Sequence, residues 1–168
     1  ATYTPPQDAR LYTGFTLLDP ATQRRTENAW VLVSHGRIVD TGAGRAPNVP
    51  ADRRIDMSGA YALPGFIDTH AHVTLGRLNV VSENGTPALV AASEDEITAH
   101  NARMLVAFGV TTIRNPGGSS EANAAYAERV GSGELLGPEA RAAGEILDQI
   151  PLSGLAVRVT DSASIEAA

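Results

Sequence analysis

The chain has 168 residues, room for one ordinary domain that buries about 70% of its extended surface. A formal charge of −6 and a pI near 5.1, with 13 basic residues scattered along the chain, exclude the clustered cationic face that nucleic acid or an anionic membrane calls for, so the expected partner is a small molecule. Cysteine is absent, which removes disulfides and thiolate ligands and leaves histidine, carboxylate or a modified lysine for any metal.

No apolar run approaches the roughly 18 residues that span a bilayer. The chain opens on Ala1 without an initiator methionine and without a charged-then-apolar leader. A soluble protein is expected, either cytoplasmic or, if a leader was removed before Ala1, exported. Ala1 to Ala9 is a polar lead-in of low information. Arg10 to Leu18 is rich in β-formers and stops at Asp19-Pro20, a turn signal. Ala29 to Ser34 and Arg37 to Gly42 flank His35-Gly36, which reads as a two-residue hairpin turn with histidine as a turn residue. After a Gly/Pro-rich stretch, Arg54 to Met57 and Ser58 to Leu63 read as another hairpin-like pair. Several short strands in succession predict a small β-sandwich or partial barrel over residues 1–63.

The next stretch, Pro64-Gly65-Phe66-Ile67-Asp68-Thr69-His70-Ala71-His72, leaves a Pro-Gly turn as an apolar run and ends in two histidines at i, i+2. On a β-strand Phe66, Asp68, His70 and His72 share one face, with the two histidine Cα atoms roughly 6.6 Å apart at about 3.3 Å per residue. Both rings then reach one ion at a Zn–N distance of about 2.1 Å. His-x-His is also met as two part-buried histidines donating to carbonyls, so the spacing by itself leaves two readings.

Val73 to Ala92 has no clear period and reads as a long loop, either a wall of a substrate site or a surface excursion. Ser93-Glu94-Asp95-Glu96 is a capping box with acids suited to a helix N-terminus. Ile97, Met104, Leu105 and Phe108 follow on one helical face, expected to be the packed one, and Gly109 ends the helix. His100 lies near the edge of that stripe and reads as a packing or surface residue. Val110 to Arg114 is a β-branched strand, giving a strand–helix–strand unit with parallel strands. Asn115-Pro116-Gly117-Gly118 is the turn beyond it. Ser119 or Ser120 caps a second helix whose apolar face is Ala122, Ala125, Tyr126 and Val130. A third strand is expected around Glu139 to Ile146, with Asp148 and Gln149 in its exit. Asp161 is an N-cap for a last helix, which runs about two turns before the sequence stops. No phosphate-binding loop with Lys and Ser/Thr is present, so nucleotide hydrolysis has no support.

Pro64 to His72 resembles the metal-binding first barrel strand of the amidohydrolase superfamily, Pro-Gly-apolar-apolar-Asp-x-His-x-His. Gly109-Val110-Thr111-Thr112-Ile113-Arg114 is similar to a second phrase of its prolidase-like and imidazolonepropionase-like members, with Asn115 where those carry Asp. The resemblance implies an α/β fold: a small N-terminal β-sandwich portion over 1–63, and over 64–168 the first three βα units of a (β/α)₈ TIM barrel, broken off in the helix after strand 3. A whole barrel takes roughly 250 residues. It implies His70 and His72 as ligands of a divalent metal, zinc by expectation, with one or two ions. Asp68 either orients a ligand or holds the strand end through a backbone hydrogen bond. Asn115, Asp148 and Gln149 are substrate-contact candidates. The remaining ligands, a carboxylated lysine or glutamate and two histidines, and the general-base aspartate are expected on later strands, so no catalytic residue is assigned within this chain.

The implied activity is hydrolysis of an amide or related C–N bond, in a linear or cyclic small molecule or a dipeptide-like substrate, by metal-activated water. The expected macromolecular partner is the remainder of the enzyme or a complementary C-terminal chain, and an oligomer is expected. The alternative is a non-catalytic half-barrel that acts through its open edges or awaits its complement. A further reading, a stand-alone β-sandwich binding module, makes the histidines dispensable.

Overall fold

The structure is a computed structural model and describes residues 4–83, 85–91, 95–149 and 156–167. The chain divides into two compact units, Ala1–Pro64 and Gly65–Ala168.

The first unit is built on β1 (Arg10–Asp19), β2 (Arg24–Ser34) and β3 (Arg37–Ala43), an antiparallel meander in the order β3-β2-β1. His35 and Gly36 both take left-handed φ values, 49° and 71°, as a primed two-residue turn requires. The Asp8 carboxylate fastens this turn, accepting from Ser34 Oγ at 2.8 Å and from the His35 N–H at 3.1 Å. The Ser34 hydroxyl is the main reason the Asp8 carboxyl is held below its ordinary value. Ala9, Leu11, Trp30, Leu32 and Val49 form the core on one side of the sheet.

The hairpin expected from Arg54 to Leu63 does not form. Both β4 (Arg54–Asp56) and β5 (Tyr61–Ala62) run parallel to β1 along its free edge, pairing Tyr12 with Ile55 and Leu17 with Ala62. The reason is local. β1 is bulged at Gly14, whose φ is +84°, and the segment between β4 and β5 steps out around the bulge and rejoins the same edge. Met57 N–H donates to Thr13 O at 2.8 Å and Thr16 N–H to Ala60 O at 3.0 Å, one on each side of the bulge. The Asp56 carboxylate accepts from both Ser58 N and Ser58 Oγ, which curls the segment without reversing it. The five strands make one sheet, and the described residues contain no second layer of a sandwich.

Opposite Trp30 on β3, Gly42 leaves no room for a side chain, since a Cβ there would stand 2.6 Å from the indole ring. Gly42→Ala is therefore expected to lower the stability of this unit by about 1–3 kcal/mol, the usual penalty for overpacking. Trp30, the one tryptophan of the chain, reports it directly through fluorescence-detected denaturation.

In the second unit β6 (Phe66–Asp68), β9 (Val110–Asn115) and β10 (Glu139–Ala142) form a parallel sheet in the order β10-β9-β6. The crossovers carry α1 (Asp95–Ala107) and α2 (Ser120–Gly131), the latter capped by Ser119 Oγ accepting from Ala122 N–H at 3.2 Å. Val73, Ala102, Ile113, Tyr126 and Leu135 make the core between helices and sheet.

Three expectations change here. Val73 to Ala92 is not an irregular loop: β7 (Leu78–Glu83) and β8 (Thr86–Ala91) pair as an antiparallel hairpin. On α1 the buried positions are Thr98 and Ala102, with Leu105 one turn on, whereas Met104 and Phe108 are exposed. The third strand stops at Ala142. Beyond it β11 (Ile146–Asp148) pairs with β12 (Ala156–Arg158) in a separate parallel ladder.

His100 is exposed, and α3 (Ser162–Glu166) opens on the Asp161 cap, its carboxylate accepting from Ser164 N–H at 2.8 Å. Ser93 and Glu94 of the expected capping box lie outside the described residues, as do Ile150 to Leu155. No helix among the described residues is long and apolar enough to cross a membrane.

Candidate metal centre

β6 is shorter than its sequence suggests. Its ladder with β9 ends at Asp68↔Ile113, and there the Asp68 carboxylate accepts the His70 N–H at 3.0 Å, turning the backbone out of the strand. Ala71 then donates its N–H to Arg114 O at 3.0 Å, which pins the segment over the end of β9. The strict strand alternation expected to aim both histidines the same way thus stops before His70. The rings nevertheless meet. Their centroids lie 5.2 Å apart at an interplanar angle of 75°.

That spacing fits a shared ion. Two imidazoles on one tetrahedral zinc, with Zn–N bonds of about 2.0–2.1 Å, have ring centres about 5 Å apart. His70 is exposed, and among the described residues its ring makes no hydrogen bond. His72 is half-buried, with Nδ1 3.3 Å from Gly117 O. A carbonyl oxygen can only accept, so Nδ1 is the donor, and in the neutral ring this is the tautomer that leaves the Nε2 lone pair for an ion. Two donors are half of a tetrahedral set, and the described residues contain no group of three or more His, Asp or Glu side chains placed to hold a metal. The sequence contains no lysine, so a carboxylated lysine is not available within this chain either.

Of the other candidates, Asp68 is half-buried, with its carboxylate engaged by the His70 backbone. Asn115 is 1% exposed and points into the protein, its amide donating to Asn123 Oδ1 at 2.8 Å while its own Oδ1 has no partner among the described residues. Asp148 and Gln149 lie on and just after β11, Asp148 half-buried and Gln149 exposed. Sequence reasoning missed Thr74 and Asn123, both 1% exposed, which meet through Thr74 Oγ1 donating to Asn123 Oδ1 at 2.6 Å. The available signal was a polar residue three positions before Tyr126 on the helix face that faces the core. Beside His72 a largely apolar groove of about 310 Å³ runs along α1, lined by Asn101, Met104, Leu105 and Phe108.

No family model matches the chain. It is 56% identical over 46 residues to an imidazolonepropionase of Salinispora arenicola, a match covering 27% of this chain and 12% of that protein. To a 5-methylthioadenosine/S-adenosylhomocysteine deaminase of Bacillus thuringiensis it is 34% identical over 59 residues, covering 34% and 14% of the two chains. These matches therefore span about an eighth of the curated relatives' length. Among solved structures it superimposes on a putative prolidase from Bifidobacterium longum with a TM-score of 0.69 at 23% identity, over 93% of this chain and 35% of that one. A Xaa-Pro dipeptidase with bound methionine in the active site gives a TM-score of 0.65 at 24% identity, over 83% and 34%. At these identities the structural likeness is one of fold.

Proposed function

We propose that this chain, an N-terminal part of an amidohydrolase-superfamily protein, supplies His70 and His72 as two ligands of a divalent metal that serves C–N bond hydrolysis. The observation that carries the reading is the 5.2 Å approach of the two rings, with His72 engaged through Nδ1 by Gly117 O so that Nε2 is the nitrogen left for an ion. In that site β6, β9 and β10 are the first three strands of a (β/α)₈ barrel, and the histidines follow the C-terminal end of the first, the end at which such barrels carry their chemistry. A divalent ion held there, such as zinc, would supply Lewis-acid activation of water and of a carbonyl group.

The chain's own residues hold and orient. Asp68 fixes the turn that carries His70, Ala71 ties the pair to β9, and Gly117 O sets the tautomer of His72. The other ligands and the general base come from polypeptide beyond these residues, whether the remainder of the same enzyme or a complementary chain. The exposed edge of the sheet favours that completion: β6 is an edge strand, and its Phe66 and Ile67 are 55% and 68% exposed. The substrate class is a small amide, a cyclic imidazolone-like ring or a dipeptide.

Elemental analysis of the purified full-length protein, joined to hydrolysis of an imidazolone and a panel of Xaa-Pro dipeptides, tests this. Stoichiometric divalent metal is expected, with hydrolysis lost on dialysis against chelator and regained on adding zinc. Metal-free protein with undiminished hydrolysis overturns it.

A further inference from the structure

We propose that Asn123, on the buried face of α2, is a positioning residue for His72: acting through Gly117 O and Thr74, it holds the imidazole in the tautomer that leaves Nε2 open. The proposal rests on the metal reading above for its purpose, though not for its geometry.

Asn123 uses nearly all of its amide. Oδ1 accepts from Thr74 Oγ1 at 2.6 Å and from Asn115 Nδ2 at 2.8 Å, and Nδ2 donates to Gly117 O at 3.4 Å. Gly117 O is the same atom that accepts from His72 Nδ1. Thr74 stands two residues after His72 in the chain. The imidazole is thereby held from both directions, through its ring by Gly117 and through its backbone by Thr74, and both holds converge on one side chain.

A helix face packed against a sheet would ordinarily put an apolar residue at this position, because a buried amide costs free energy unless its hydrogen bonds are made. Here three residues, Thr74, Asn115 and Asn123, each 1% exposed, share that cost. A buried polar cluster of this kind specifies one arrangement where an apolar core would allow several. The loop that brings the carbonyl into place also requires glycine. Gly118 has a φ of +112°, and a Cβ on Gly117 would run into the side chain of Ile146. Outer hydrogen bonds of this sort fix the ring orientation and tautomer of a metal-binding histidine, and their loss typically lowers metal affinity about 10–100-fold.

The test uses the full-length protein labelled with nitrogen-15, stripped of metal and held above the imidazole titration, with long-range proton–nitrogen correlations reading the His72 ring. Wild type is expected to show a single Nδ1–H tautomer. Asn123→Ala is expected to show both tautomers, and to bind zinc about 10–100-fold more weakly in competition with a chromophoric chelator. Thr74→Val, which removes one donor and keeps the side-chain shape, is expected to shift both readouts the same way by less. It decides the question if circular dichroism shows Asn123→Ala to be unfolded.

Folded variants with the His72 tautomer unchanged overturn the proposal, as does an Nε2–H tautomer in wild type. If wild type takes up no zinc yet the tautomer responds to Asn123→Ala, the metal reading has failed and the positioning role stands. If zinc binds and the tautomer is indifferent, the reverse holds.

Discussion

On the proposed reading, replacing His70 and His72 together by alanine is expected to abolish stoichiometric metal and to lower kcat/KM for hydrolysis by the full-length protein by about a thousandfold or more. A metal that polarises a carbonyl and activates water contributes several kcal/mol to the transition state, and each 1.36 kcal/mol is about tenfold in rate. The two single variants should differ in stability. His70 is exposed, with no ring hydrogen bond among the described residues, so His70→Ala should leave the folding equilibrium within about 0.5 kcal/mol of wild type while metal is lost. His72 is half-buried and donates to Gly117 O, so His72→Ala should also cost about 1 kcal/mol of stability. Metal content by elemental analysis, denaturation curves and steady-state kinetics on the same preparations separate these effects. Full metal occupancy in the double variant would show that neither ring is a ligand.

Why the histidine pair could be read from sequence, and its support could not, follows from the range of the interactions. Pro64 to His72 is contiguous, and two donors at i, i+2 stay neighbours whether the backbone continues as a strand or turns out of it. Here it turns, because Asp68 captures the His70 N–H, and the rings still meet. The His35-Gly36 turn was legible for the same reason, both left-handed residues being adjacent.

What misled was long-range. Met104 and Phe108 look like the inward face of α1 by period, yet Ala102 and Thr98 are the buried positions, since the period marks a stripe and only the tertiary partner decides which part of the helix is covered. β4 and β5 look like a hairpin until Gly14, some forty residues earlier, is seen to bulge β1 and give both a place on one edge. Asn123 reads as one polar residue in a helix. Its meaning depends on Thr74, 49 residues earlier, which no local window contains.

The largest expected effect on stability is at Tyr126. This residue is 2% exposed, packs among Val73, Ala102, Ile113 and Leu135, and donates its hydroxyl to Pro138 O at 2.9 Å. Tyr126→Ala removes the largest fully buried side chain among the described residues, leaves a cavity and takes away the hydroxyl that donates to Pro138 O. The expected cost is about 3–5 kcal/mol, a large part of the roughly 5–15 kcal/mol that holds an ordinary domain folded. Among the described residues the three α-helices lie in Gly65–Ala168 and the tryptophan lies in Ala1–Pro64, so helical circular dichroism should collapse at lower denaturant while Trp30 fluorescence reports on the other unit.

Tyr126→Phe isolates the hydroxyl, and alkaline pH isolates its ionisation. Burial pushes the Tyr126 phenol up to about 12, against about 10 in an unfolded chain. Below pH 10 both states keep the proton and the residue's contribution is complete. Between about 10 and 12 the unfolded chain releases its proton while the folded one retains it, so the unfolded state binds fewer protons and stability falls as pH rises. The absence of lysine makes this visible, because no lysine ammonium titrates across the window. In Tyr126→Phe the stability of Gly65–Ala168, followed by denaturant titration across the window, should decline less steeply than in wild type. Equal slopes would mean that the phenol is not held neutral by its surroundings.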